Sequence, residues 1–391
     1  MYDFDKVIDR HKTNSMKWDG LKSSYGRDDL LSLWVADMDF AASSAITKAL
    51  QERVSHPIYG YMYCSDEYYE SIIGWMQRRH DWKVEKEWIV FTPGVVPALS
   101  YAIRALTKPD DNVIIQSPVY HPFYHTVEYN GRNVITNPLI YKDGRYFMDF
   151  EDLESKIDSK TKLLLLCSHH NPVGREWTKE ELRRLGEICL KHNIIIISDE
   201  IHFDLVYKGH EHTVFAKISS EIRENCIICT APSKTFNLAG LQISNIIIPN
   251  DEIRKKYKNE LEKDHIVRPN IFGQGALVAA YDESEDWLDS LMNYLEENKD
   301  FFIEFIEKRI PKLKVVKPEA TYLLWVDCSD LGMNSEELRD FFLNKCRLAL
   351  NNGEMFGKEG RLFQRFNIAC PRSTLKEALI RIEKNIKEIN I

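Results

Sequence analysis

The 391-residue sequence lacks any apolar run long enough to cross a membrane. Its Leu and Ile tracts stop at four residues (Leu163 to Leu166, Ile194 to Ile197), against the ~18 that a spanning helix needs. It also lacks a basic excess. With 52 Lys+Arg against 60 Asp+Glu the formal charge is -8, which removes the electrostatic basis for nucleic-acid binding. The start, MYDFDKVIDRHKTNSMKWD, has no apolar h-region and no small-residue cleavage site, so no secretory leader is expected. Internal repeats and low-complexity tracts are missing, as are the nucleotide motifs G-x-G-x-x-G and G-x-x-x-x-G-K-[ST]. The eight cysteines are scattered and sit in apolar contexts, as at Cys167 and Cys189, which suits free buried thiols in a reducing cytoplasm. Cys226 and Cys229 form a lone C-x-x-C, but NCIICT reads as a buried strand rather than a zinc or redox motif.

Hydrophobic residues at 44% and charged residues at 29% are enough for a sizeable core, and the length suits two domains. From residue 88 onward, short apolar runs alternate mostly with amphipathic segments: 88–92, 112–118, 162–167, 193–200, 225–232 and 243–249. The runs are nearly continuously apolar, as in strands covered on both faces of a largely parallel sheet. Thr178 and Glu181 predict a capping box ahead of Leu182, Leu185 and Ile188 at helical spacing. After Tyr281 an acidic stretch carries Trp287, Leu291 and Leu295 on one stripe and predicts a long helix. Strands at 321–327 and 361–369 then flank a helix at 335–346. The fold expected is α/β. Residues 46–284 form a large domain with a mostly parallel sheet sandwiched by helices, residues 285–391 form a smaller α+β domain, and residues 1–45 form an N-terminal arm that joins it.

Ligands of an open parallel sheet bind beyond the carboxyl ends of its strands. Five such ends carry distinctive residues. Gly94, Val95 and Val96 make a turn into a helix, whose backbone N–H groups suit a phosphate. Tyr120 sets an aromatic ring on the same rim. Asn171 precedes a proline and presents an amide. Asp199 ends a buried strand, where a carboxylate needs a positive partner. Lys234 follows Ser233 at the mouth of another apolar strand, where burial lowers an amine pKa toward a usable range. His169 and His170 are adjacent, and no neighbouring residue completes a metal ligand set, so no metal is expected. Asp37 and Asp39 either line the pocket or cap local turns. Taken together, a Gly turn, an aromatic ring, an Asn, a buried Asp and a Lys are what a pyridoxal phosphate (PLP) site requires.

The strings SHHNPVGR, SDEIHFD and APSKTFNLAG resemble PLP-dependent enzymes of fold type I, the aspartate aminotransferase superfamily. WVADMDF (34–40) and FNIACPRS (366–373) resemble, within it, the MalY/PatB-type cystathionine β-lyases. The resemblance implies that Lys234 bonds covalently to PLP, Asp199 pairs with its ring nitrogen, Tyr120 stacks on the ring and Asn171 bonds the 3-oxygen. His202 stands where many relatives have a tyrosine. Gly94, Val95, Val96 and Ser233 would hold the phosphate, and Tyr61 would reach the phosphate of a second subunit in a homodimer. Arg365 matches the arginine that forks onto a substrate carboxylate. Gln242 departs from the pattern, because many members have a basic residue there.

The activity so implied is α,β-elimination from a sulfur amino acid, L-cystathionine giving homocysteine, pyruvate and ammonia, with cysteine a further substrate. Lys234 would move the Cα proton, and Lys234 or Tyr120 would protonate the leaving sulfur. Two other readings share the motifs: an aminotransferase, and a PLP-binding regulator whose output is a protein contact.

Overall fold

The computed structural model describes residues 2–388, so the outer domain limits at residues 1 and 391 lie outside it. The large sheet contains β1 (Ile89–Thr92), β2 (Asn112–Ile115), β3 (Asn133–Thr136), β4 (Thr161–Cys167), β5 (Ile195–Asp199), β6 (Cys226–Thr230) and β7 (Ser244–Ile247). Their order is β1-β7-β6-β5-β4-β2-β3. β3, β2, β4, β5 and β6 pair in parallel, while β7 is antiparallel to both β1 and β6. Six strands therefore end on one edge and β7 alone starts there. The sequence pattern missed β3, whose half-exposed residues at the sheet margin lack the continuous apolar signal of the inner strands.

Helices pack on both faces. α1 (Val95–Leu106) turns Val95, Ala98, Leu99, Ala102 and Ile103 inward. α2 (Lys179–Lys191) starts with the Thr178–Glu181 capping box read from the sequence and buries Leu182, Leu185, Ile188 and Cys189. Each aliphatic side chain so buried is worth about 1.5–3 kcal/mol. Gly186 is required on this face, because a Cβ there would stand 2.3 Å from Ile222 Cδ1.

The predicted long helix is α3 (Glu285–Arg309), with Trp287, Leu291 and Leu295 in the core. Beyond it lie β8 (Lys314–Val315), β9 (Leu323–Asp327), β10 (Asn351–Asn352) and β11 (Phe363–Asn367), in the antiparallel order β8-β9-β11-β10. The helix expected at 335–346 runs Ser335–Asp340 and continues as a π-helical turn, Phe341–Lys345. In the N-terminal arm, Leu31–Ser32 pairs in parallel with Leu348–Ala349, and Asp39 N–H donates to the Ala369 carbonyl. We propose that the domains divide at 46–284 and 285–391, with the arm as part of the smaller one. A limited-proteolysis cut within a few residues of 284 supports this division, and first cuts inside the large sheet contradict it. Among the described residues, no helix is long and apolar enough to cross a membrane.

Candidate active site

The shared strand edge opens into a cavity of about 180 Å³. Gly94, Val95 and Val96 reach it from the β1–α1 turn, Tyr120 from beyond β2, and Asn171 from beyond β4. Asp199 and His202 reach it from the end of β5, and Ser233 and Lys234 from beyond β6. Tyr120 N–H donates to the Asn171 carbonyl at 3.1 Å, tying two of these loops together. Gly94 caps α1 without any side-chain acceptor and the first turn holds no acid, so its N–H groups are open to an anion.

Lys234 is half-buried, and its Nζ donates to the Ala36 carbonyl at 2.6 Å. Burial, and then the nearby Arg365 cation, bring its pKa down to about 8, so a usable fraction of the amine is neutral near neutrality. Burial drives the Asp199 carboxyl the other way, up to about 7, against a bond from Ile201 N–H and the attraction of Lys234. His202 is held well below the ordinary imidazole range by burial, and its Nδ1 has no partner.

The Asp199 shift makes the cofactor-free protein pH-sensitive. A carboxyl whose folded pKa lies above its unfolded value contributes stability below about pH 4, and loses it as pH rises through about 7. Cofactor-free wild type should therefore lose stability relative to cofactor-free Asp199→Asn across that window, by up to about 4 kcal/mol. Paired thermal melts check this, and a gap that does not change with pH contradicts it.

Arg365, on β11, is buried behind Asn171 and is not among the residues that line the cavity. Its Nη1 donates to Asn171 Oδ1 at 2.9 Å, and its Nη2 donates to the Trp34 carbonyl at 2.9 Å and Asn351 Oδ1 at 2.6 Å. All these partners are neutral and Nε has none, so the guanidinium is a buried cation with no carboxylate. Burial pulls its pKa down to about 10, still charged at neutral pH.

The WVADMDF segment acts through its backbone, which its side chains do not announce. The Ala36 carbonyl accepts from Lys234 and from the Tyr322 hydroxyl, Asn367 Nδ2 donates to the Val35 and Asp37 carbonyls, and Asn237 pairs with both backbone polar groups of Met38. Asp37 and Asp39 neither line the cavity nor cap turns. Arg10 bridges the two at 2.7 Å each, and fully buried Lys17 holds Asp39 at 2.8 Å. Asn351 and Tyr322 carried no motif signal at all.

Two predicted positions stand apart. Tyr61 is fully exposed and away from this cavity, and Gln242 points to solvent with φ +50°. His170 Nε2 donates to the Pro118 carbonyl, 2.9 Å away, while His169 meets Glu176 and His212, which the local sequence did not place beside it. Cys226 and Cys229 are buried free thiols on β6, like most of the eight.

The donor set fits PLP. An uncapped helix start suits its phosphate, a buried carboxylate lacking a cation suits its ring nitrogen, and a half-buried amine of lowered pKa suits its aldehyde.

A family model described as aminotransferase class I and II matches residues 28–382. Cystathionine beta-lyase PatB of Bacillus subtilis (strain 168) is 47% identical over 381 residues, covering 97% of this chain and 98% of PatB. Protein MalY of Escherichia coli (strain K12) is 32% identical over 392 residues, covering 100% of each chain. The crystal structure of cystalysin from Treponema denticola, which contains a pyridoxal 5'-phosphate cofactor, matches with a TM-score of 0.97 at 38% identity, covering 100% of each chain. Fold and relatives together define a PLP-dependent enzyme on the aminotransferase fold. The chain belongs to the class I and II aminotransferase family and, within it, to the MalY/PatB-type group read from WVADMDF and FNIACPRS.

Proposed function

We propose that the protein is a PLP-dependent carbon–sulfur β-lyase acting on L-cystathionine, with homocysteine, pyruvate and ammonia as products. Cysteine is a second substrate of the same reaction. The observation that carries this reading is the pairing of a half-buried, pKa-lowered Lys234 with a buried Arg365 that has no acid partner, in a chain 47% identical to a cystathionine β-lyase.

When bound, PLP supplies an aldehyde for the substrate amine and a ring that delocalises the charge left at Cα. Lys234 would hold it, with Asp199 on the ring nitrogen, Tyr120 against the ring face, and Asn171 and His202 at the 3-oxygen. Gly94, Val95, Val96 and Ser233 would hold the phosphate, without the basic residue that Gln242 replaces. Arg365 orients the substrate by its carboxylate, the planar fork taking both oxygens. Lys234 Nζ, neutral in part at pH 7, takes the Cα proton. Tyr120, whose hydroxyl burial keeps protonated, and the protonated Lys234 are the two groups that can hand a proton to the departing thiolate.

We also propose a homodimer with shared sites. Ile58, Tyr59, Tyr61 and Tyr63 are all exposed in one short segment, an apolar surface that a second copy would cover. The buried free thiols are the argument for a cytoplasmic location.

The test is incubation with L-cystathionine and no keto acid. Pyruvate released over many turnovers is expected. A single turnover that stops at the pyridoxamine form identifies an aminotransferase instead. The same preparation is expected to sediment at twice the chain mass, and an active monomer contradicts the shared-site reading.

A further inference from the structure

Beside the cofactor cavity lies a second cluster that the lyase reading does not use. His169 Nδ1, Glu176 Oε2 and His212 Nδ1 lie within 4.8 Å of one another. None has a hydrogen-bond partner, and the three side chains are 0%, 6% and 2% exposed. Glu176 Oε2 touches His169 Nδ1 and stands 3.7 Å from His212 Nδ1.

The outer atoms of both rings are already engaged. His212 Nε2 meets Glu200 Oε2 at 2.9 Å, and His169 Nε2 faces the Phe203 carbonyl at 3.4 Å. Each of these partners is an acceptor, so each ring donates from Nε2 and turns Nδ1 inward toward Glu176. Glu200 is fixed in turn by the Ser198 hydroxyl at 2.8 Å and Phe215 N–H at 3.0 Å. Two ring nitrogens and a carboxylate oxygen thus converge on one buried point, which calls for positive charge there: a proton on His212, whose pKa the Glu176 and Glu200 carboxylates raise against burial, or a metal ion. Metal-ligating histidines are oriented in this way, the far ring nitrogen donating to a carboxylate or a carbonyl.

We propose that His169, Glu176 and His212 form a binding site for a first-row divalent metal ion, with Glu200 as the outer partner that orients His212. Two imidazoles and one carboxylate with no thiolate suit zinc or a neighbouring ion such as nickel or iron(II). The charge also balances, since a divalent cation offsets the buried Glu176 and Glu200 carboxylates with both imidazoles neutral. Entry is available, because His212 also lines a surface groove of about 510 Å³ with Arg79, His80 and Lys208. The bound ion would tie the loop after β4, which holds His169 and Glu176, to the segment after β5, which holds Glu200 and His212. It is a positioning site with no step in the reaction. The proposal does not depend on the lyase reading.

The decisive experiment uses chelator-stripped holoenzyme returned to stoichiometric zinc, crystallised, and measured for anomalous scattering at the zinc edge. A peak between the three side chains is expected, with one ion per chain in solution. Glu176→Gln and His169→Gln are expected to weaken zinc binding by at least ~10-fold while the visible cofactor band persists. No peak, a peak only at cysteines or surface histidines, or unchanged affinity in folded variants overturns the proposal. A cluster that holds only a proton gives the first of these results. The wild-type diffraction decides the matter even if a variant does not fold.

Discussion

Lys234→Ala is expected to lower kcat by ~10⁴-fold or more, with PLP still retained by its other contacts. The reason is that the cavity has no base of comparable strength: burial holds the His202 imidazole well below its ordinary range. Lys17, fully buried, is fixed on Asp39 and the Asp37 carbonyl. In the proposed site Asp199 would not serve either, because its carboxyl would face the cofactor ring. Steady-state pyruvate release measures the loss, and cofactor content by absorbance separates it from loss of PLP. Turnover within tenfold of wild type would remove Lys234 from the chemistry. The position of the amine also depends on the WVADMDF segment, since Lys234 Nζ rests on the Ala36 carbonyl. That segment is tied down from several sides by Asn237, Asn367 and Tyr322.

Arg365→Lys is expected to reduce kcat/KM by ~10²-fold, mainly through KM. Lysine keeps the charge but loses the fork, and a hydrogen bond to a charged group is worth about 1.5–3 kcal/mol. It also leaves Asn171 Oδ1, Asn351 Oδ1 and the Trp34 carbonyl with fewer donors than they have now. Initial rates across a range of cystathionine concentrations separate the two constants. A fall confined to kcat would mean that Arg365 acts on the cofactor end of the site rather than on the substrate carboxylate.

Much of this architecture is legible in the sequence. The inner strands announce themselves because both faces are covered, leaving runs such as Leu163 to Leu166 with no polar position. Edge strand β3 has half-exposed residues and gives no such signal. At the site, residues at strand ends could be read in order because a parallel sheet delivers them to one edge. What could not be read were contacts made by backbone atoms, such as the Ala36 carbonyl, which have no side-chain signature. Asn351 and Tyr322 were silent for a related reason: each is unremarkable locally and acquires its role when the small sheet folds against the arm. The same holds for His169, whose companions Glu176 and His212 come together only when the β4 and β5 loops pack. Asp37 and Asp39 were open to two readings, and their burial against Arg10 and Lys17 is a long-range pairing that spacing does not encode.

The covalent assignment underlies the whole site. Borohydride reduction of the PLP-loaded protein, followed by digestion and mass mapping, tests it most directly. The account predicts one stable pyridoxyl adduct per chain, on the peptide containing Lys234, and none in Lys234→Ala. An adduct on a different lysine of the wild-type chain, or no adduct from protein that visibly binds PLP, would contradict it.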